Sequence, residues 1–355
     1  MESTIYASID LHYKTSTLGM MAGDGRFLAR KSFTTSDKNL VKHVRAIPGE
    51  KRLLTIEQGN QAHWAACLLT PYVDKLVICD PKANRSIYDG LVKNDAVDTE
   101  KLCELFRLGA IKPVYYASEL GKRKLFFSQV KEYERIKKQI TITKNQFQAS
   151  LRNWGYPIKM TPTLYNHPRQ VLDQIDQEDL AEEFSRKLSH IGFLEQLKKQ
   201  QKQAFVATGD SCWEVAEFQK MPGCGEILSH TISAYLQTPH RFENRGQVIH
   251  FSKLAITRHT SDGRRTKHEK LAKTGHGSLK SATHQIWKAA LRRQDDNEVK
   301  QFYHHSLERT DNQVNARLNT QRKIITSLWS LWKNNQTYRA DKFLGSSPGK
   351  GVSEL

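Results

Sequence analysis

The first part of the chain shows the alternation of apolar and polar positions that is typical of β-strands. TIYASID (4–10) alternates and ends in an acid, and residues 16–33 contain two more such runs around GDG at 23–25. A glycine-containing turn between two alternating runs predicts a β-hairpin. KRLLTIE (51–57) and KLVICD (75–80) predict a fourth and a fifth strand.

Helical segments separate the later strands. Residues 38–47, residues 61–73 and the stretch up to about residue 108 have helical character, and KPVYYA (112–117) is a candidate for a further extended segment. The order βββαβαβα predicts a mixed five-stranded sheet covered by helices. We therefore expect an α/β domain over residues 1–117.

After residue 118 the pattern changes to one long amphipathic helix. From Lys122 to Lys159 there are ten basic residues against two acids. A basic helix face is either a solvated surface or one that contacts phosphates, and the sequence leaves both interpretations open. The apolar positions of this helix are Val130, Tyr133, Ile136, Ile140, Phe147, Leu151 and Trp154.

The remaining chain predicts a linker, another long helix and a C-terminal helical unit. Residues 157–172 contain three prolines, and residues 179–205 predict a coiled-coil arm for self-association. The predicted domains after the first are a helical coiled-coil middle at 118–220, a mainly α-helical unit at 221–340 and a disordered tail at 341–355.

Composition narrows the class of partner. The 355 residues include 55 Lys and Arg against 37 Asp and Glu, a net charge of +18. This excess favours a polyanion, either nucleic acid or a membrane surface. No run approaches the roughly 18 apolar residues of a transmembrane helix, and MESTIYASID lacks the features of a signal peptide. We expect a cytoplasmic, nucleoid-associated protein that binds nucleic acid and no membrane.

Two aspartates in KNDAVDTEKL (93–102) lie at a predicted helix start. On a helical wheel Asp95 and Asp98 fall on the apolar face, whereas Glu100 and Glu104 fall opposite. One explanation for acids at a helix start is the helix dipole, which stabilises each of them by only ~0.3–1 kcal/mol. The other explanation is that they bind a metal ion, which would offset the cost of placing carboxylates on a buried face. The apolar face comprises Asp95, Asp98, Leu102, Leu105, Phe106 and Gly109.

Two acids at strand ends favour the interpretation that a metal ion is bound. Asp10 ends the first strand and Glu57 ends the fourth, so neighbouring strands would bring both to one edge of the sheet. Four converging carboxylates would repel one another without divalent cations, and their hard oxygen atoms suit Mg²⁺ or Mn²⁺. Two such ions can activate an attacking oxygen and stabilise a leaving oxygen at a phosphodiester.

The C-terminal part holds two further candidate sites. Gly223 and Gly225 precede a predicted helix, where glycines either admit a phosphate to backbone N–H groups or form a plain turn. RHTSDGRR (258–265) presents Ser261 on a basic turn, either as a phosphoryl-transfer nucleophile or as an ordinary turn residue. The candidate nucleic-acid ligands around it are Arg258, Arg264, Arg265, Lys267 and Lys273.

The order of the acidic residues along the chain resembles that of proteins with a known fold. Asp on strand one, Glu on strand four and D-x-x-D on a later helix resemble the ribonuclease-H-like fold in its Holliday-junction-resolvase form. A proofreading exonuclease of that fold would carry D-x-E on the first strand, whereas this sequence has His12 at the position of that glutamate.

Nearly the whole chain resembles the DEDD transposases of insertion sequences, which are related to the Piv DNA invertase and of which several are guided by a bridge RNA. The resemblance rests on YASIDLH, TIEQG, DPKANRSI with KNDAVDTEKL, the basic helix after PVYYASE, MPGCGEILSHTISAYLQTPHRF and RHTSDGRRTKHEKLAKTGHGSLKSA. It implies that Asp10, Glu57, Asp95 and Asp98 bind Mg²⁺ or Mn²⁺, and that Ser261 is the nucleophile.

The sequence departs from the family at the serine. The turn that is Ser-Ser-Gly-Gly-like in the family is Thr260-Ser261-Asp262-Gly263 here, which leaves a second hydroxyl and adds a negative charge.

The expected function is that of a site-specific recombinase that excises and inserts a mobile element. The resemblance implies DNA, a noncoding guide RNA and a dimer or tetramer of the chain as partners. The alternatives are a junction-resolving or invertase-type nuclease that uses water, and a nucleic-acid-binding protein without catalysis.

Overall fold

The fold is described from a computed structural model for residues 3–81, 95–116, 121–257, 260–261, 264–265 and 270–345. The chain forms two compact units, Met1–Gly121 and Lys122–Leu355. The segments 118–220 and 221–340, which the sequence predicts as separate domains, thus fall almost entirely in one unit.

The first unit is a mixed α/β sheet, as the sequence predicts. The hairpin strands come first and the α/β segments follow. The strands are β1 (Thr4–Leu11), β2 (Thr15–Ala22), β3 (Phe27–Thr34), β4 (Lys51–Glu57), β5 (Lys75–Cys79) and β6 (Pro113–Val114). The helices are α1 (Asp37–Arg45), α2 (Ala62–Leu69) and α3 (Asp95–Arg107), with a 3₁₀ turn at Thr70–Tyr72.

The strand order in the sheet is β3-β2-β1-β4-β5-β6. The first three strands pair antiparallel, whereas β4 pairs parallel with both β1 and β5. Within the described part of this unit the sheet therefore has six strands, whereas the sequence predicts five. The sixth is the short β6, in the segment that was a candidate for extended structure, and it pairs antiparallel with β5.

The two faces of β1 are covered by different helices. Ile5, Ala7 and Ile9 are buried in a core with residues of α1 and α2. Tyr6 and Ser8 lie on the other face, where Tyr6 packs edge-on against Phe106 of α3 at 5.8 Å between ring centroids. Because side chains alternate along a strand, Asp10 belongs to the face that α3 covers.

The second unit is mainly helical, in agreement with the predicted class. Its longest helices are α4 (Lys122–Asn153) and α7 (Glu178–Gly209). The shorter helices between them are α5 (Pro162–Asn166) and α6 (Arg169–Leu172). After α7 come α8 (Trp213–Gln219), α9 (Glu226–Leu236), a 3₁₀ turn (Pro239–Arg241), α10 (Arg245–Phe251), α11 (Gly277–Arg292), α12 (Glu298–Thr310), α13 (Gln313–Lys333) and α14 (Ala340–Leu344).

Helices α4 and α7 pack antiparallel within the chain. The ion pair Lys144–Glu195 at 2.7 Å and the bond from Gln201 to the carbonyl of Gln129 at 2.9 Å show this direction. The apolar side of α7 is buried against α4, for example through Phe184 on Phe147 at 5.5 Å. The apolar stripe predicted for self-association thus has an intramolecular partner, and the oligomeric state stays a prediction.

The C-terminal helices share one core with the near ends of the two long helices, including Phe126, Val130 and Phe205. Phe343 of α14 is buried in the same core, so ordered chain continues past residue 341, where the sequence predicts the tail to begin. Residues 346–355 lie outside the described residues. Of the helices that the structure describes, none is long and apolar enough to cross a lipid bilayer.

Candidate functional sites

The first candidate site is the sheet edge where β1 and β4 end. The parallel register aligns Ile9 with Ile56, so Asp10 and Glu57 are the next residues on two adjacent strands. Ile9 and Ile56 both point into the core with α1 and α2. By strand alternation, both acids lie on the opposite face, which is the face covered by α3. The structure therefore places Asp10 and Glu57 on adjacent strands, which is the condition that the sequence analysis set for a shared edge.

The environment of the two acids differs. The side chain of Asp10 is 17% exposed, and its Oδ2 lies 3.2 Å from Nε2 of His12, whose side chain is 65% exposed. Glu57 is exposed at the end of its strand. Glu57 is therefore accessible from solvent, whereas most of the Asp10 side chain is covered.

Helix α3 is anchored to this face by buried polar contacts. Ser8, which is fully buried, donates a 2.7 Å hydrogen bond to the carbonyl oxygen of Thr99. The thiol of Cys103 lies 3.4 Å from the Ser8 hydroxyl, and burial raises the pKa of that thiol to about 12. Gly19 on β2 leaves room for this approach, because a Cβ there would lie 3.0 Å from Cβ of Thr99.

These contacts set the direction of α3 across the sheet. Phe106 lies over Tyr6 and Thr99 lies over Ser8, so the helix runs antiparallel to β1. Four helical residues span about 6 Å and two strand residues about 7 Å. The helix start at Asp95 therefore lies at the level of Asp10. The side chains of Asp95 and Asp98 lie outside the described residues.

The helical wheel is confirmed for most of the face that can be described. Leu102, Leu105 and Phe106 are buried, whereas the side chains of Glu100 and Glu104 are 50% and 39% exposed. The expectation for Gly109 is wrong, because α3 ends at Arg107 and Gly109 is exposed with a φ of +67°. Thr99 and Cys103, which the sequence did not single out, are also fully buried and widen the buried arc of the wheel by about 60°.

The donor set at this edge fits a hard divalent cation. Carboxylate oxygens are the preferred ligands of Mg²⁺ and Mn²⁺, and the described members of the set are Asp10 and Glu57. Among the described residues, no group of three or more His, Cys, Asp and Glu is placed to hold a metal ion. Since two of the four predicted ligands lie outside that part of the chain, metal binding stays a prediction.

The second candidate site is a set of nested β-strands between α10 and α11. The outer pair is β7 (Ile256–Thr257) with β10 (Lys270–Leu271), and the inner pair is β8 (Thr260–Ser261) with β9 (Arg264–Arg265). Both pairs are antiparallel. Ser261 is the register partner of Arg264, so the serine and an arginine of the predicted basic cluster share one rung.

The base of this hairpin is fixed to the helical core. Leu254 is fully buried and its carbonyl oxygen accepts a 2.9 Å hydrogen bond from Nε of Arg322 on α13. On the returning strand, the amide of Ala272 donates to the carbonyl of Ala255 at 2.8 Å. These two contacts tie the base of the hairpin to the helical core. Of the predicted nucleic-acid ligands, Lys273 is exposed beside this base, Arg258 and Lys267 lie outside the described residues, and only the backbones of Arg264 and Arg265 are described.

Helix packing explains why a glycine occupies one of the two positions that the sequence predicts to contact a phosphate. Gly223 has a φ of +83°, and a Cβ there would lie 2.3 Å from the carbonyl oxygen of Ile286 on α11. Gly225 caps α9 at a φ of −76° with open space where a Cβ would be. Glu226 in the first turn of α9 is paired with Lys202 at 2.6 Å. A phosphate contact at these glycines stays a prediction.

The basic face of α4 is partly used inside the protein. Arg123 forms an ion pair at 2.6 Å with Glu214, whose side chain is fully buried, and Lys144 is paired with Glu195. Lys131, Lys137 and Lys138 are exposed along the helix. The excess of positive charge in this helix therefore has a structural part and a solvent-facing part.

One comparison with known proteins bears on the second unit. Residues 215–304 match the transposase family IS116/IS110/IS902. The matched segment runs from α8 into α12 and includes the whole nested hairpin with Ser261. A search of the curated proteins finds no match.

The match supports an insertion-sequence transposase, and with it an enzyme that cleaves and transfers strands of its DNA partner. The matched segment is also one of the two regions where the sequence analysis finds a marked excess of basic residues. Between residues 253 and 293 this segment contains eleven basic residues and two acids, an excess of positive charge that favours DNA as its partner.

Proposed function

We propose that this protein is a transposase that excises and inserts a mobile DNA element through a covalent link to Ser261. The observation that carries the proposal is the position of this serine. It lies within the matched segment 215–304, on a hairpin rooted in the helical core, and its register partner is Arg264.

In the proposed reaction, Ser261 Oγ attacks a DNA phosphorus. The Oγ–P bond forms, one P–O bond of the DNA backbone breaks, and the leaving oxygen takes a proton. An arginine across from the nucleophile is suited to stabilise the charge that develops on the phosphoryl oxygens. In a second transfer, the terminal hydroxyl of another cleaved DNA strand attacks the same phosphorus. A new P–O bond forms, the Oγ–P bond breaks, and Ser261 Oγ takes back a proton.

The ribonuclease-H-like unit is proposed to hold Mg²⁺ or Mn²⁺ through Asp10, Glu57, Asp95 and Asp98. Support comes from the adjacency of Asp10 and Glu57 on β1 and β4, and from the start of α3 at the level of Asp10. When bound, such ions activate an attacking oxygen and stabilise a leaving one. In this unit, Ser8 and Thr99 hold α3 on the face that carries the acids.

A noncoding guide RNA and a dimer or tetramer of the chain are further parts of the proposal. The net charge of +18 supports a nucleic-acid partner without distinguishing DNA from RNA. The exposed lysines of α4 and the hairpin region are the proposed contact surfaces.

The proposal is tested by trapping the covalent intermediate. The purified protein is incubated with labelled DNA that carries the ends of its element, and the products are separated under denaturing conditions. We expect a protein–DNA adduct in the wild type and in Thr260→Ala, and none in Ser261→Ala. An adduct that survives Ser261→Ala would overturn the assignment of the nucleophile.

Two other outcomes identify the alternative functions. Cleavage without an adduct, unchanged by Ser261→Ala, is the result expected of a junction-resolving or invertase-type nuclease that uses water. Binding without cleavage is the result expected of a non-catalytic nucleic-acid-binding protein.

A further inference from the structure

A groove of about 390 Å³ lies between α11 and α13 in the helical unit. Each helix contributes four lining residues at steps of three and four, so each presents one face to the groove. Leu271 of β10, at the base of the hairpin that carries Ser261, also lines it. The helical lining residues are Gly277, Lys280, Ser281 and His284 of α11, and Val314, Arg317, Leu318 and Gln321 of α13.

The lining of the groove is positively charged. It contains Lys280, Arg317 and His284, and no Asp or Glu among its described residues. Burial lowers the pKa of His284, and repulsion from Arg317, Lys288 and Lys280 lowers it further. Lys280 and Arg317 line the same groove as His284, and an anion bound there would be attracted to both cations.

Two buried hydrogen-bond donors belong to a lining residue of the groove and to a neighbour of a lining residue. Nε of Arg317 is buried, and within the described part of the chain it has no hydrogen-bond partner. The same holds for Nε1 of Trp287, whose ring lies 5.2 Å from that of His284. Both atoms lie beneath the surface, so they are polar groups close to the groove and not themselves contacts for a ligand.

The surface next to the cations is aromatic and apolar. Trp287 packs against Tyr303 of α12 at 5.5 Å, and Val314 at the groove is 52% exposed. Grooves that combine cations with aromatic rings are typical of proteins that bind a nucleic-acid strand, because the cations follow the backbone and the rings contact bases or sugars.

We propose that the groove between α11 and α13 binds a phosphodiester backbone, with Lys280 and Arg317 as its phosphate ligands. This inference rests on the proposed function for the nucleic-acid partner, but it assigns a surface that is separate from the rung of Ser261 and Arg264. The ligand is DNA or RNA, which share this chemistry.

The test compares two charge-matched variants of the full-length protein. Lys280→Gln with Arg317→Gln removes two charges from the groove, and Lys199→Gln with Arg309→Gln removes two from exposed positions on α7 and α12. Dissociation constants for labelled duplex DNA, single-stranded DNA and RNA are measured by fluorescence anisotropy over a range of salt concentrations.

We expect the groove variant to bind at least one of these nucleic acids about tenfold more weakly at moderate salt, with the salt slope reduced by about 2. The control variant should stay close to the wild type. The nucleic acid whose binding is lost identifies the ligand. Equal affinities and slopes for the two variants would overturn the inference and leave the proposed function intact.

A second variant guards against misfolding of the first. Ser281→Glu adds a carboxylate at an exposed position of the groove, and Gln196→Glu adds one at an exposed position of α7. We expect only Ser281→Glu to weaken binding, and equal binding by both would count against the groove. A wild-type protein that binds none of the three nucleic acids would overturn both the inference and the proposed function.

Discussion

The hydroxyl of Ser8 donates a 2.7 Å hydrogen bond to the carbonyl oxygen of Thr99, a residue 91 positions later in the chain. Ser8 lies two residues before Asp10 on β1, and Thr99 lies one helical turn after Asp95 on α3. This bond therefore joins the strand and the helix that carry two of the proposed metal ligands.

Removing this bond should loosen the helix without deleting any proposed ligand. We expect Ser8→Ala to lower the free energy of unfolding by about 1 kcal/mol and to reduce strand exchange, with a higher Mg²⁺ concentration needed for half-maximal activity. Ser32→Ala, which removes an exposed hydroxyl contact to Thr17, is the control. An unchanged Mg²⁺ dependence in Ser8→Ala would separate α3 from metal binding.

The acids at the sheet edge should be needed for catalysis and not for folding. We expect Asp10→Asn and Glu57→Gln each to reduce strand exchange to background while the circular dichroism spectrum is retained, because an amide is a poor ligand for Mg²⁺. Glu100→Gln, on the exposed side of α3, should leave activity unchanged. Activity that persists in both strand variants would exclude the proposed metal site.

Two neighbouring glycines should respond differently to alanine. Gly223→Ala places a Cβ 2.3 Å from the carbonyl of Ile286 at a positive φ, so we expect a loss of more than about 2 kcal/mol in unfolding free energy. Gly225→Ala meets no atom within 4 Å and should cost less than about 1 kcal/mol. Urea denaturation measures both. If Gly225 contacts phosphate, its variant should weaken DNA binding at near-normal stability.

The ion pair of Glu214 with Arg123 should be a major stabilising contact of the helical unit. The glutamate is fully buried, and it accepts hydrogen bonds from Arg123 at 2.6 Å and from Ser233 at 2.5 Å. We expect Glu214→Gln to lower the free energy of unfolding by about 1–2 kcal/mol, because Arg123 loses a charged hydrogen-bond partner while its own side chain, which is 36% exposed, stays in contact with water. Glu132→Gln, in an exposed pair on α4, should leave the melting temperature unchanged.

Stability at high pH should depend on Tyr235. Burial, and then a hydrogen bond to the carboxylate of Glu134, raise the pKa of Tyr235 to about 12. A raised pKa in the folded state means that this stabilisation is present below about pH 10 and is lost as the pH rises towards 12. Melting temperatures between pH 9 and 11 should therefore fall more steeply in the wild type than in Tyr235→Phe. Parallel curves would contradict the assignment.

The sequence by itself determined the features that depend on local periodicity. The strands of the first unit, the long helices and the buried face of α3 through Leu102 and Phe106 follow from steps of two or of three and four residues. The same periodicity predicted that Asp10 and Glu57 each end a strand. Whether these two strands are neighbours was a condition of the predicted site, and the parallel register of β1 and β4 meets it.

Only the tertiary structure decided the features that depend on distant partners. The apolar stripe of α7 could serve another copy of the chain or α4, and the fold pairs it with Phe147 of α4. From the sequence, Gly223 could admit a phosphate or form a plain turn, and the close approach of Ile286 in the structure accounts for a glycine at this position. The groove of Lys280 and Arg317 joins residues of two helices. Periodicity reports which face of a segment is apolar, whereas the choice of partner depends on the packing of the whole unit.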